Sequence, residues 1–165
     1  MANDSSQRTR RDFMKGSGAA AGAAALAGAF GGGRKVHAHE INALRPTPEQ
    51  IQGFLAIEHD GPIVMVNLLK FKPDGGEAEY AKYAAAVRPI LKKIGARILF
   101  SSNTEFCLLG DADWDAIALV EYPNKMSLIR MSASPEYQAI HHHRENGLEG
   151  QVNYAVVQTE DVAEE

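Results

Sequence analysis

Residues 63–71 read Ile-Val-Met-Val-Asn-Leu-Leu-Lys-Phe, one amide and one amine in an otherwise apolar run. His59-Asp60-Gly61-Pro62 precedes it and Lys72-Pro73-Asp74-Gly75-Gly76 follows it. A short apolar run between two turn clusters is a core strand. Successive strand side chains point to opposite faces. Val64, Val66 and Leu68 therefore share one face, and Met65, Leu69 and Phe71 share the other. An antiparallel strand with one wet face alternates apolar and polar residues, and this one does not. Ile117–Val120 and Ala155–Val157 are also apolar on both faces. The sheet built from these strands is expected to be covered on both sides.

The remaining elements follow outward from that strand. Thr47-Pro48-Glu49-Gln50 starts a short helix, to about Ile57, with a capping threonine, a proline at the first position and a glutamine closing a capping box. Glu77–Ile94 is a helix in which Tyr80, Ala84, Val87, Leu91 and Ile94 recur at helical spacing, with Pro89 expected to bend or break it near Val87. Ala96–Leu109 reads as a strand pair or one bent strand, interrupted at Ser101–Thr104. Trp114–Tyr122 is a strand, Pro123-Asn124 opens a short helix through Met131, and Ser134-Pro135-Glu136 opens another to about Asn146. Val152–Gln158 is the last strand. The order β-α-β-β-α-β predicts an α+β, ferredoxin-like antiparallel sheet with helices on one face. A second subunit packed sheet against sheet is the simplest cover for the other face. The short N-terminal helix is the competing cover.

The first 38 residues are of a different kind. Thr9–Lys15 reads TRRDFMK, with Arg10, Arg11, Phe13 and Lys15 forming a twin-arginine export motif ahead of a Gly/Ala run. That run is too weakly apolar to anchor well in a bilayer. Val36-His37-Ala38 is the favoured cleavage site, Ala27-Gly28-Ala29 the other. The expected organisation is a signal peptide over 1–38, a segment with a short helix over 39–62, the folded domain over 63–159 and an acidic tail over 160–165. The export machinery is the expected partner of the leader, and the mature protein is expected in the periplasm or otherwise outside the cytoplasm. The whole chain carries a net charge of −4. Residues 39–165 hold 11 basic and 19 acidic residues, a net of −8, which disfavours nucleic acid as a partner. Cys107 is the only cysteine, so no disulfide forms within the chain, and a buried position in a strand is expected for it.

The segments MVNLLKF, Gly95-Ala96-Arg97, DWDAIALVEYP and SPEYQAIHHHR together resemble domain-of-unknown-function family 1330, over roughly residues 47–159. The resemblance implies a fold of the dimeric α/β-barrel superfamily, a homodimer and a cavity between the two sheets. It implies no particular reaction.

Several residues are candidates for chemistry. Asn67 is the odd residue of its strand. It is either an amide lining the cavity and orienting a ligand, or one satisfied by backbone or water. His141-His142-His143 invites a metal reading, but adjacent helical residues point about 100° apart and do not converge on one ion. Tyr137, His141 and Glu145 share a helix face and form a candidate catalytic stripe of hydrogen-bond donor, base and orienting group. The alternative is a partly exposed polar face. Arg88 and Arg144 are candidate anchors for an acidic ligand, and Arg97 is a charged strand residue that could enter the cavity. No phosphate loop, nucleophile elbow, HExxH, paired-cysteine site or haem-attachment motif occurs, and no cofactor is expected. These readings point to an exported homodimer that binds a small organic molecule in an inter-sheet cavity, with cofactor-free acid/base or oxygen chemistry. The alternatives are a non-catalytic binding or interaction module, and a haem- or metal-handling protein using the histidine run.

Overall fold

The computed structural model describes residues 43–158. The twin-arginine motif, both cleavage sites and the acidic tail lie outside them. Helix α1 (Pro48–Leu55) forms behind the expected capping box. The Thr47 hydroxyl accepts from the Gln50 backbone N–H at 3.2 Å, and the Gln50 side chain accepts from the Thr47 N–H at 2.8 Å. Strand β1 (Ile63–Phe71) leads through Gly75, held at φ 79°, into α2 (Gly76–Lys93). Helix α2 runs through Pro89 as one helix rather than breaking. Pro89 has no N–H to offer the Ala85 carbonyl, but Ala85 is exposed, so water can take that bond.

Strand β2 (Arg97–Asn103) includes Ser101, Ser102 and Asn103, read from sequence as an interruption. Backbone pairing with Ala118, Ile117 and Ala116 holds them in the ladder whatever their side chains prefer. Residues 105–109 are not a strand. The chain instead loops from Thr104 to Asp115, tied at its base. The Thr104 N–H donates to the Asp115 carbonyl at 2.9 Å, and the Asp115 carboxylate accepts from the Phe71 N–H at 2.8 Å and from Lys70 Nζ at 3.1 Å. Cys107 is exposed in this loop rather than buried, and β3 (Ala116–Tyr122) begins two residues after Trp114. Asn124 caps α3 (Lys125–Ser132), Ser134 caps α4 (Pro135–Gly147), and β4 (Leu148–Val156) starts four residues before its expected position.

All sheet pairings are antiparallel, in the order β2-β3-β1-β4, which is the ferredoxin-like arrangement. The core lies between one sheet face and the helices. Ile63, Tyr122, Val87, Leu91 and Met131 form its main cluster, with Leu69, Ala116 and Leu148 a second one. Helix α1 packs Phe54 against the main cluster, so it joins the helix layer and leaves the opposite sheet face alone. The first turn of α2 meets the last turn of α4 at two glycines. A Cβ on Gly147 would lie 2.7 Å from the Gly76 carbonyl oxygen and 2.7 Å from the Tyr80 nitrogen.

The opposite face carries Val66 and Leu68 of β1 beside Leu119 and Ile117 of β3 and Tyr154 and Val152 of β4. Phe100 of β2 pairs with Leu119 on that face. Phe100 and Tyr154 are exposed, and so are Phe106, Leu108 and Leu109 of the 104–115 loop, the last at 88%. Exposed apolar side chains of this size are candidates for a contact surface.

Candidate functional site

Helix α2 does not seal the sheet beneath it. Residues of α2, Ala81 and Ala84 among them, and of the sheet, Ala116 and Ala118 among them, line a cleft of about 230 Å³. In β3, Ala118 is flanked across the ladder by Asn67 of β1 and Ser101 of β2. Small residues on both walls make the gap; leucines there would close it.

Asn67 sits on the helix-packed face and lines this cleft. It therefore does not face the space that a second sheet would enclose, because β1 turns its odd-numbered residues toward the helices of its own chain. Its Nδ2 donates to the Met65 and Ala118 carbonyls, both at 3.0 Å, and its Oδ1 accepts from Asn153 at 2.6 Å. The amide is both a cleft wall and a backbone clamp.

Tyr80, Tyr83 and Tyr122 also line the cleft. Burial pushes the Tyr80 hydroxyl up to about 12, with Tyr137 adding to the rise and the Arg144 guanidinium opposing it. Burial likewise raises Tyr83 well above the ordinary phenol range, and it raises Tyr122. At neutral pH these phenols are protonated and act as hydrogen-bond donors, not bases. Tyr83 approaches the Tyr137 hydroxyl at 3.5 Å. Tyr122 is only 6% exposed, yet its hydroxyl has no hydrogen-bond partner among the described residues. No enclosed side-chain polar atom in them lacks a partner, so the Tyr122 hydroxyl reaches open space, which on this face is the cleft.

The catalytic stripe read from the sequence lies behind this tyrosine layer. The Tyr137 ring meets Tyr83 edge-on at 6.2 Å and stacks with His141 at 6.4 Å. None of Tyr137, His141 and Glu145 lines the cleft. Glu145 is engaged by Arg45, which donates to it at 2.7 and 3.0 Å. This pairing holds its carboxyl below the usual carboxylate range. His141 Nδ1 lies 2.8 Å from the Gln138 carbonyl, an acceptor only, so the ring proton is on Nδ1. Nε2 stays 3.9 Å from Glu145. The three histidines take different surroundings: His143 Nδ1 lies 2.6 Å from Glu79, and the His142 ring lies 4.0 Å from that of His143. Among the described residues no group of three His, Cys, Asp or Glu is placed to hold a metal ion.

Arg144 donates to the Leu44 carbonyl at 3.1 Å and fastens the N-terminal segment to α4. Arg97 pairs with Glu121 across the β2–β3 ladder at 2.7 Å, away from the cleft. Arg88 does line the cleft and makes no hydrogen bond or ion pair among the described residues. At the other end of the same helix face, Glu77 accepts from Asn103 Nδ2 at 3.1 Å, joining α2 to the edge strand. Sequence reasoning passed over Tyr80, Tyr122 and the alanines. The visible signal was Ala84, a small residue within the apolar helical pattern Tyr80, Ala84, Val87, Leu91.

The twin-arginine translocation pathway signal matches residues 9–27, so the chain is exported to the periplasm, and no helix among the described residues is long and apolar enough to cross a membrane. No curated protein matches. A protein of unknown function from Rhodopseudomonas palustris superposes with a TM-score of 0.67 at 26% identity, over 73% of this chain and 99% of its own. Its methylated form gives the same score and identity, over 74% and 98%. A dimeric protein of unknown function with a ferredoxin-like fold, from Bacteroides fragilis, gives 0.45 at 15% identity, over 58% and 95%. The domain of unknown function DUF1330 matches residues 75–159, more than half of the chain, and the chain belongs to that family.

Proposed function

We propose that this exported protein is a homodimer whose subunits each bind a small organic molecule in the cleft beneath α2. The observation that carries the reading is the Tyr122 hydroxyl, which opens into the cleft from an otherwise buried residue and has no protein partner among the described residues. A donor held there without a partner costs stability unless water or a ligand meets it. The cleft volume falls below the roughly 300 Å³ at which typical ligand pockets begin, which favours a single-ring compound. Protonated phenols and a clamped amide hold and orient a ligand; neither removes a proton at neutral pH. Binding is therefore favoured over acid/base catalysis by Tyr137, His141 and Glu145. The homodimer reading rests on the apolar sheet face that α1 leaves bare.

Ligand-observed NMR against a mixed set of small aromatic and aliphatic fragments tests the site. Ala118→Leu fills the slot from below. Fragments that bind the natural protein and are lost in Ala118→Leu, with its fold retained by circular dichroism, support the cleft. Fragments that bind both proteins equally contradict it.

A further inference from the structure

Resting on the cleft as the binding site, we infer that its ligand is a small aromatic carboxylic acid, seated with its ring between the alanine walls and its carboxylate on Arg88. Three features of the cleft select this chemistry.

The first is shape. Ala81 and Ala84 of the helix and Ala116 and Ala118 of the sheet are among the cleft's lining residues, with Leu91, Ile98 and Val120. Small residues on both the helix and the sheet leave a layer between them, and a planar ring fits a layer better than a branched aliphatic chain does. Tyr80 and Tyr83 stand beside it and offer ring edges and faces, which aromatic ligands favour.

The second is charge. Arg88 and Glu77 lie on the same cleft-lining face of α2, eleven residues apart, or roughly 16 Å along the helix. Glu77 is already engaged by Asn103, whereas Arg88 makes no ion pair or hydrogen bond among the described residues. An anion entering the cleft is drawn to the Arg88 end and repelled from the Glu77 end, so the cleft is polar along its length. A guanidinium binds a planar carboxylate through two parallel bonds. Within residues 39–165, of net charge −8, a cleft with a free arginine is a local exception that favours acids.

The third is a second polar group on the cleft wall. The Tyr122 hydroxyl has no protein partner among the described residues. A polar substituent on the ring meets it; an unsubstituted hydrocarbon leaves it unsatisfied.

The test is calorimetric titration of the purified mature protein with 4-hydroxybenzoate and with its uncharged counterpart, 4-hydroxybenzamide. It is repeated on Arg88→Gln and on Tyr122→Phe. The expected result is that the acid binds the natural protein at least about tenfold more tightly than the amide. Arg88→Gln abolishes that preference by weakening the acid alone, and Tyr122→Phe weakens both compounds. Arg88 is exposed, so its replacement leaves the fold intact. Equal binding of acid and amide, unaltered in Arg88→Gln, overturns the inference. If both are then weakened by Tyr122→Phe, the cleft itself still stands. Binding of neither compound at millimolar concentration, with fragments still lost in Ala118→Leu, likewise overturns the acid while leaving the site.

Discussion

Asn67 is at once a clamp between strands and a wall of the cleft. It is the only polar residue that β1 turns toward the helices, and its amide ties the Met65 and Ala118 carbonyls while accepting from Asn153. Asn67→Ala removes all three bonds from a half-buried position, and its predicted cost is about 1–3 kcal/mol, read from urea unfolding; a change below the error of that measurement would show that water replaces the amide freely. The sequence marked Asn67 as out of place in its strand, because a polar residue among Met65 and Leu69 needs a reason. It could not tell which sheet face Asn67 would join, since β1 is apolar on both. Glu145 carries the opposite lesson. Its i, i+4 spacing from His141 is real, but its partner Arg45 lies 100 residues away, and no local pattern encodes that pairing.

At the scale of elements, α2 and α4 are joined by close packing and by charge. The packing is the Gly76–Gly147 approach. Gly147→Ala would place a methyl against backbone atoms that have no side-chain freedom to yield. The predicted loss is about 2 kcal/mol or more, checked by thermal or urea unfolding; an unchanged midpoint would mean that the helix ends shift apart at little cost. The charge link is Glu79, which accepts from Lys82 at 2.5 Å and lies 2.6 Å from His143 Nδ1 of α4. Lys82 first and His143 second hold the Glu79 carboxyl down to about 2, from an ordinary 4.5. A depressed carboxyl stabilises the fold fully above its unfolded value. The contribution declines as pH falls from 4.5 and is gone below about 2. Glu79→Gln should therefore flatten the fall in stability between those pH values, measured by urea unfolding at a series of acid pH. A slope identical to that of the natural protein would show the link to be idle. Capping residues Thr47, Asn124 and Ser134 made the helix starts legible in advance. The loop 104–115 was not legible, because Phe106, Leu108 and Leu109 have the composition of a buried strand and yet lie exposed.

The whole molecule presents two unlike sheet faces. One is packed by α1 to α4 and holds the cleft; the other exposes Phe100, Tyr154 and the neighbouring aliphatic residues. Apolar patterning on both faces of Ile63–Phe71 marked both sheet faces as apolar in advance, without deciding what covers the second. The ferredoxin-like order followed from the succession of elements alone. On the homodimer reading, the bare face meets its copy, and Leu119→Lys at its centre is predicted to give a monomer of unchanged secondary structure by sedimentation velocity and circular dichroism. A Leu119→Lys dimer would place the contact elsewhere. The sequence reading put the ligand between the two sheets, whereas the alanine slot lies between sheet and helix, and distinguishing these two spaces is the most direct trial of the account. The measurement is a methyl-resolved NMR titration with a bound aromatic fragment. Ligand in the cleft gives ring-current shifts at the Ala84 and Ala118 methyls, with those of Val66, Leu119 and Val152 unmoved. Shifts confined to Val66, Leu119 and Val152 would contradict that placement.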